Sequence, residues 1–367
     1  MKIPFGLPAL LPAVAAALAP PSAPTAQGAP PGGAAAPAVS ATIAVPAAPD
    51  RTMEEPAGFD AFWADVRADA AAADLSSARR TPPEAVSRGG GAAAAGPGSF
   101  AFELPVGPGE SASGFVVLPK RSPAAKLPLV VVFSGYSETD PTPTARHPLW
   151  GLPGAIVAHL STHGFPPGRA KAFYAAAFEE ISAGGTGGAF GFLDEENADA
   201  RTSYFRRIAV RDLAAMRLLE SLPEWDGRGV ALVGAHLGAW RAVAVAANDP
   251  AASGLALWSP WLCDLGGAET FGRPAGWLPT WQPALGFFDG VFLARRVKAP
   301  CAVVDAPLSA PDLPVAGVRL FVDALGGPKR AVWTPGGRPA TKRLPGPEAV
   351  AGALEELRGL GAGNSGP

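Results

Sequence analysis

The segment Leu127 to Phe133 (LPLVVVF) is almost continuously apolar with β-branched residues at its centre. Such a run reads as a strand buried on both faces, as parallel strands are when helices cover them. Four later stretches share the character, namely Gly154 to Leu160, Gly229 to Gly234, Gly254 to Trp258 and Ala299 to Asp305, and Arg330 to Thr334 adds one more. Helical spacing separates them. Ile208, Leu213, Met216, Leu219 and Leu222 fall on one side of a helix, with Arg207, Arg211, Arg217 and Glu220 on the others. Asp226 and Gly227 punctuate its end, and a second, alanine-rich helix is predicted over Ala239 to Ala247. This alternation predicts an α/β fold with a mostly parallel central sheet flanked by helices, whose site gathers outside the carboxyl ends of the strands.

Before the sheet, Phe59, Phe62, Trp63 and Val66 sit at helical spacing within Glu54 to Ala71, and Phe102 to Leu118 reads as two short strands joined at Gly107-Pro108-Gly109. Arg79 to Gly98, with Pro82, Pro83 and the run Gly89 to Gly91, reads as a loop. Gly266 to Val291 carries Trp277, Trp281, Phe287 and Phe288 and reads as an irregular or helical insertion over the site edge. The first 27 residues combine Lys2, an apolar stretch from Ile3 to Leu18, and Ala17 and Ala19 in the manner of a cleavage site. They predict a signal peptide and export, to a secreted or periplasmic location. Residues 28–49 then form an alanine- and proline-rich disordered tether, 50–350 the folded domain, and 351–367 a flexible tail. No later run reaches the ~18 consecutive apolar residues of a membrane span.

Composition narrows the function classes. With 48% hydrophobic residues in 367, the chain can bury a substantial core. A formal net charge of -2 gives no long-range attraction to nucleic acid or an anionic membrane. Cys263 and Cys301 lack the spacing of a redox pair and read as buried thiols. A metal site built from His236, His163 and a carboxylate such as Asp140 or Asp194 is thinly supported by four histidines in all, because catalytic zinc generally needs three protein ligands. The motifs call for no cofactor and no metal.

The most informative string is VALVGAHLGAW, in which a strand runs into Gly234-Ala235-His236-Leu237-Gly238 and then a helix. In an α/β-hydrolase the central residue of such a string occupies a strained strand-to-helix elbow, and small residues two places either side let the backbones approach. The amide of Leu237 would then be one oxyanion donor. Histidine at the centre changes the chemistry, because imidazole has no hydroxyl with which to form an ordinary ester.

Several strings in order resemble the acetyl xylan esterase and cephalosporin C deacetylase family of α/β-hydrolases: the Phe62-Trp63 helix, Phe133-Ser134-Gly135-Tyr136, Tyr204-Phe205-Arg206-Arg207 with Asp212, Ser259-Pro260-Trp261-Leu262-Cys263-Asp264, and Gly327-Pro328-Lys329. The resemblance implies an esterase fold acting on acetylated sugars and small esters, often in ring assemblies. The functional positions depart from it. His236 stands at the place of the serine nucleophile, and His163-Gly164-Phe165 replaces Arg-Gly-Gln. The aspartate's place falls near Leu308 and the histidine's near Arg338 or Pro339, yet no histidine follows His236. The expectation is therefore an exported relative without catalysis that keeps a cleft for a carbohydrate, an acetylated small molecule, a protein partner or another copy of itself. Tyr136, Leu237, His163 and Trp261 are its expected oxyanion or pocket residues. The alternative is a rewired ester hydrolase in which Ser134 or Ser137 is the nucleophile, His236 the base and Asp305 or Asp312 the orienting acid.

Overall fold

Every residue of strand β4 (Leu127–Phe133) is buried, and its alternate side chains feed two different cores. Leu129, Val131 and Phe133 point into the larger one; Val130 and Val132 point into the smaller. That division follows from the period of two along a strand, and it requires covering layers on both faces. In the computed structural model, residues 53–86, 98–119, 126–136, 152, 154–183, 195–267, 279–307, 315–334 and 347–362 are described. The leader and tether expected over 1–49 lie outside them.

Around β4 runs one sheet of nine strands: β1 (Arg79–Thr81), β2 (Phe100–Gly107), β3 (Glu110–Val117), β5 (Ile156–Leu160), β6 (Trp225–Ala235), β7 (Ala252–Trp258), β8 (Cys301–Pro307) and β9 (Lys329–Thr334), in the order β1-β2-β3-β5-β4-β6-β7-β8-β9. From β5 to β9 all neighbours are parallel, whereas β1, β2 and β3 extend the sheet antiparallel. The chain reverses direction in strand order at β4, flanked by β5 and β6. That switch leaves a crevice at the carboxyl ends of β4 and β6.

Helices α1 (Phe59–Ala71), α2 (Pro83–Val86), α3 (Lys171–Ala183), α4 (Tyr204–Glu220), α5 (Leu237–Asn248), α6 (Gly290–Ala294), α7 (Val315–Ala324) and α8 (Pro347–Ala362) complete the chain. The larger core holds the buried faces of α1, α4, α5, α6 and α7. On the opposite face α8 buries Val350, Ala353, Leu354 and Leu357. Two expectations are corrected. The stretch after Arg79 is not all loop, because β1 pairs with β2 and α2 follows it. The expected flexible tail is helical to Ala362, since its apolar positions cover the sheet.

Ser203 starts α4 by accepting from the Phe205 amide, which satisfies one of the orphan donors of the first turn. The amino-terminal helix is fixed to the body by aromatic packing and ion pairs. Phe59 and Phe62 stack around Phe287, and Trp63 donates to the Phe287 carbonyl at 3.0 Å. Arg296 grips Glu55 and Asp60, and Arg206 pairs with Asp69. Among the described residues no helix is long and apolar enough to cross a membrane. Cys263 and Cys301 are buried and free.

At the end of α4, burial and then the neighbouring Asp249 push the Glu220 carboxyl up to about 8, against the pull of Arg217. A carboxyl that keeps its proton only when folded favours the fold most below its ordinary value of 4.5, and that contribution is lost as pH rises through 8. Glu220→Gln removes the repulsion. Thermal melts should show the variant more stable than the parent above pH 8 and matched to it below pH 4.5, with a flatter profile between.

Candidate functional site

Strand β6 ends at Ala235, α5 begins at Leu237, and His236 makes the turn between them with φ 58 and ψ -116. A residue bearing a Cβ holds so sparsely populated a conformation at a cost of about 1–3 kcal/mol, and only where its surroundings over-determine it. They do so here. A Cβ on Gly234 would lie 2.2 Å from the Gly238 carbonyl oxygen, and one on Gly238 would lie 2.2 Å from that of Phe133. Both positions admit glycine alone, and the first turn of α5 is pressed against the end of β4. His236 donates its amide to the Trp258 carbonyl at 2.9 Å and accepts from Ala239 and Trp240.

The imidazole of His236 does not cap its own helix. It stacks on Trp261, with ring centroids 5.2 Å apart and planes 20° from parallel. Trp261 arrives on a second strained loop, in which Ser259, Leu262 and Asp264 all have positive φ (46, 56 and 54). Fully buried Asp289 holds that loop, its carboxylate accepting from the amides of Asp264, Leu265 and Val291 at 3.1, 2.6 and 2.8 Å. Burial pushes the Asp289 carboxyl up to about 7, and the three amides pull the other way.

Beneath the elbow lies a buried ion pair. Arg241, one turn along α5, is 0% exposed and meets Asp212 of α4 in two parallel bonds, Nε to Oδ2 at 2.8 Å and Nη2 to Oδ1 at 2.5 Å. Its remaining hydrogens are spent on strand ends: the carbonyls of Ser134 at 3.0 Å, Leu160 at 3.2 Å and Ser161 at 3.1 Å, and the Thr162 hydroxyl at 2.8 Å. The guanidinium also lies over the Phe133 ring. One side chain thus ties the elbow helix to the loops after β4 and β5.

His163 is buried on the same side of the cleft. Its Nε2 lies 2.7 Å from the Tyr136 carbonyl and its Nδ1 2.6 Å from the Tyr204 hydroxyl. A carbonyl only accepts, so Nε2 carries the hydrogen and Nδ1 accepts from Tyr204. Burial, aided by Arg211 and Arg241, drives its pKa down to about 3. His163 is therefore a neutral brace for Tyr136, and both nitrogens are committed, which leaves none for a metal.

The structure brings His236, Leu237 and Trp261 into contact range at the elbow, with Tyr136 and His163 on the adjoining loop. Ser134 is 1% exposed, and its hydroxyl donates to the Leu160 carbonyl at 2.8 Å beside Thr162 at 3.1 Å. That hydroxyl belongs to the Arg241 network. Asp305 lies on β8 opposite Trp258. Ser137, Asp312, Asp140, Asp194 and Trp277 fall outside the described residues. Arg207, a candidate anchor, forks onto Glu196 near the surface. The buried anchor is Arg241, which the sequence reading missed, as it missed Asp289. An arginine inside the apolar run AWRAVAVAA was the available signal for the first.

The sequence profile of the acetyl xylan esterase family matches residues 50–273. An acetyl esterase of Xylanibacter ruminicola, Axe7A, is 25% identical over 261 residues, which cover 67% of this chain and 55% of that protein. The chain thus spans about half the length of the curated relative it matches. Among solved structures, an acetyl xylan esterase from Paenibacillus sp. R4 superposes with a TM-score of 0.63 at 18% identity, and acetyl xylan esterase 1 from Thermoanaerobacterium sp. JW/SL YS485 with 0.64 at 17%. Each alignment covers 84% of this chain and 96% of the other. These two share the fold.

Asp212→Asn would leave the Arg241 charge buried and unpaired. Chemical denaturation should register a loss of about 3–5 kcal/mol, the usual result of breaking one side of a buried ion pair. An unchanged midpoint would mean that Arg241 is not the anchor.

Proposed function

Because the chain belongs to the acetyl xylan esterase family, we propose that it is an exported member that binds an acetylated saccharide in its strand-end cleft and does not cleave it through an acyl-serine. One observation carries this reading. The elbow keeps its strained geometry and its two obligatory glycines, yet the side chain it presents is the imidazole of His236. The chemistry of a serine ester needs a hydroxyl at that point. Ser134, the nearest replacement named by the sequence and also described, has its hydroxyl engaged with Leu160 and Thr162.

Support for a saccharide comes from the relatives, which are named for acetyl esters and acetyl xylan. Trp261 beside His236 supplies an aromatic wall of the kind that suits sugar rings. Export rests on the pattern of the first 27 residues alone.

Calorimetric titration of the full chain with acetylated xylo-oligosaccharides should give saturable binding, while proton NMR of the same mixture shows no release of acetate. Acetate release together with fluorophosphonate labelling of Ser134 or Ser137 would establish a rebuilt serine site instead. Absence of binding would also defeat the reading.

A further inference from the structure

We infer that His236 is itself an acyl acceptor: its imidazole takes an acetyl group from an activated donor, an aryl ester or a thioester, and passes it to water. The inference uses the same cleft as the proposed saccharide site but requires a different event there.

The elbow exists to hold one side chain at the end of the central strands, beside the amino-terminal amides of the helix that follows. His236 occupies it at φ 58 and ψ -116, and its ring is spent neither on capping α5 nor on a turn. The first amides of a helix have no acceptor within it, so those of α5, starting at Leu237, are aimed where a tetrahedral oxyanion would form. Imidazole is a competent nucleophile toward acyl carbon. The stacked Trp261 face stabilises the positive charge that the ring acquires as the new bond forms.

The step balances without an added reagent. A ring nitrogen of His236 attacks the acetyl carbonyl carbon and forms a carbon–nitrogen bond. The carbon–oxygen or carbon–sulfur bond to the leaving group then breaks, and the ring's original N–H proton goes to that group by way of solvent. Water next adds to the N-acetylimidazole, releases acetate and returns the imidazole. No electron transfer takes place. The product of the first step is itself an activated acyl compound, so the donor must carry a leaving group at least as good as imidazole. An aryl ester or thioester meets that condition. A sugar acetate, with an alkoxide to expel, does not, which is why binding of acetylated saccharide and acylation of His236 are separate events. His236 is only 5% exposed, so water reaches the adduct slowly and the acyl-imidazole persists long enough to be trapped.

The full chain mixed with p-nitrophenyl acetate should release a burst of p-nitrophenolate equivalent to the chain present. Acid-quenched mass spectrometry should then find one added acetyl group, placed on His236 by fragmentation and removed by neutral hydroxylamine, which spares an acetylated lysine. His236→Gln, checked for folding by circular dichroism, should lose the burst. Linear release without a burst or adduct overturns the inference, as does a burst retained in the glutamine variant. Should that variant not fold, fragmentation of the parent protein still decides: an acetyl group found elsewhere, or none, defeats the proposal. Saccharide binding without acylation sinks this inference alone, and acylation without saccharide binding sinks only the preceding reading.

Discussion

The carbonyls at the ends of β4 and β5 must be satisfied where the sheet stops, and a single guanidinium does it. Arg241 supplies hydrogens to Ser134, Leu160 and Ser161 while Asp212 balances its charge. A buried carbonyl left without a donor costs about 1–3 kcal/mol, and here several are gathered at one point. The same bonds fasten α4 and α5 to the loop carrying Tyr136, so the cleft wall and the elbow cannot move independently. An apolar side chain at position 241 could fill the space but could not replace those donors.

Two strained turns face each other across this cleft, and a buried acidic residue underlies each. Asp212 acts through Arg241 on the side of His236. Asp289 acts directly on the loop from Ser259 to Leu265, with the Gly290 amide adding a bond to the Leu262 carbonyl at 2.6 Å. The contact between His236 and Trp261 is the point where the two supports meet. Such preorganisation fixes ring against ring before any ligand arrives.

Much of this was legible in the sequence where the signal was local. β4 could be read to the residue because seven successive positions are buried, and the elbow because glycines two places either side of His236 are required by backbone contact. The hairpin at Gly107 to Gly109 was legible for the same reason. Where the deciding partner was distant in sequence, the reading failed. Arg211 counted as an outward charge, yet it is 4% exposed and bonded to Glu110 and Thr162, because the antiparallel extension of the sheet covers that side of α4. Asp289 looked like a residue of an irregular insertion until its amide partners at 264 and 265 came beside it. The helix α8 was taken for tail because its apolar residues acquire meaning only against the sheet.

The energetics of position 236 argue against treating His236 as filler. Glycine would hold φ 58 without a Cβ penalty, whereas a histidine there carries about 1–3 kcal/mol of backbone strain. Stacking on Trp261 offsets about 0.5–1.5 kcal/mol of this beyond the area it buries. The imidazole must also lose water, which an apolar ring of similar size would lose at less cost. Packing alone therefore favours another residue at this turn. What imidazole adds, and no apolar ring can, is a nitrogen lone pair at the end of the central strands, beside the amides that open α5.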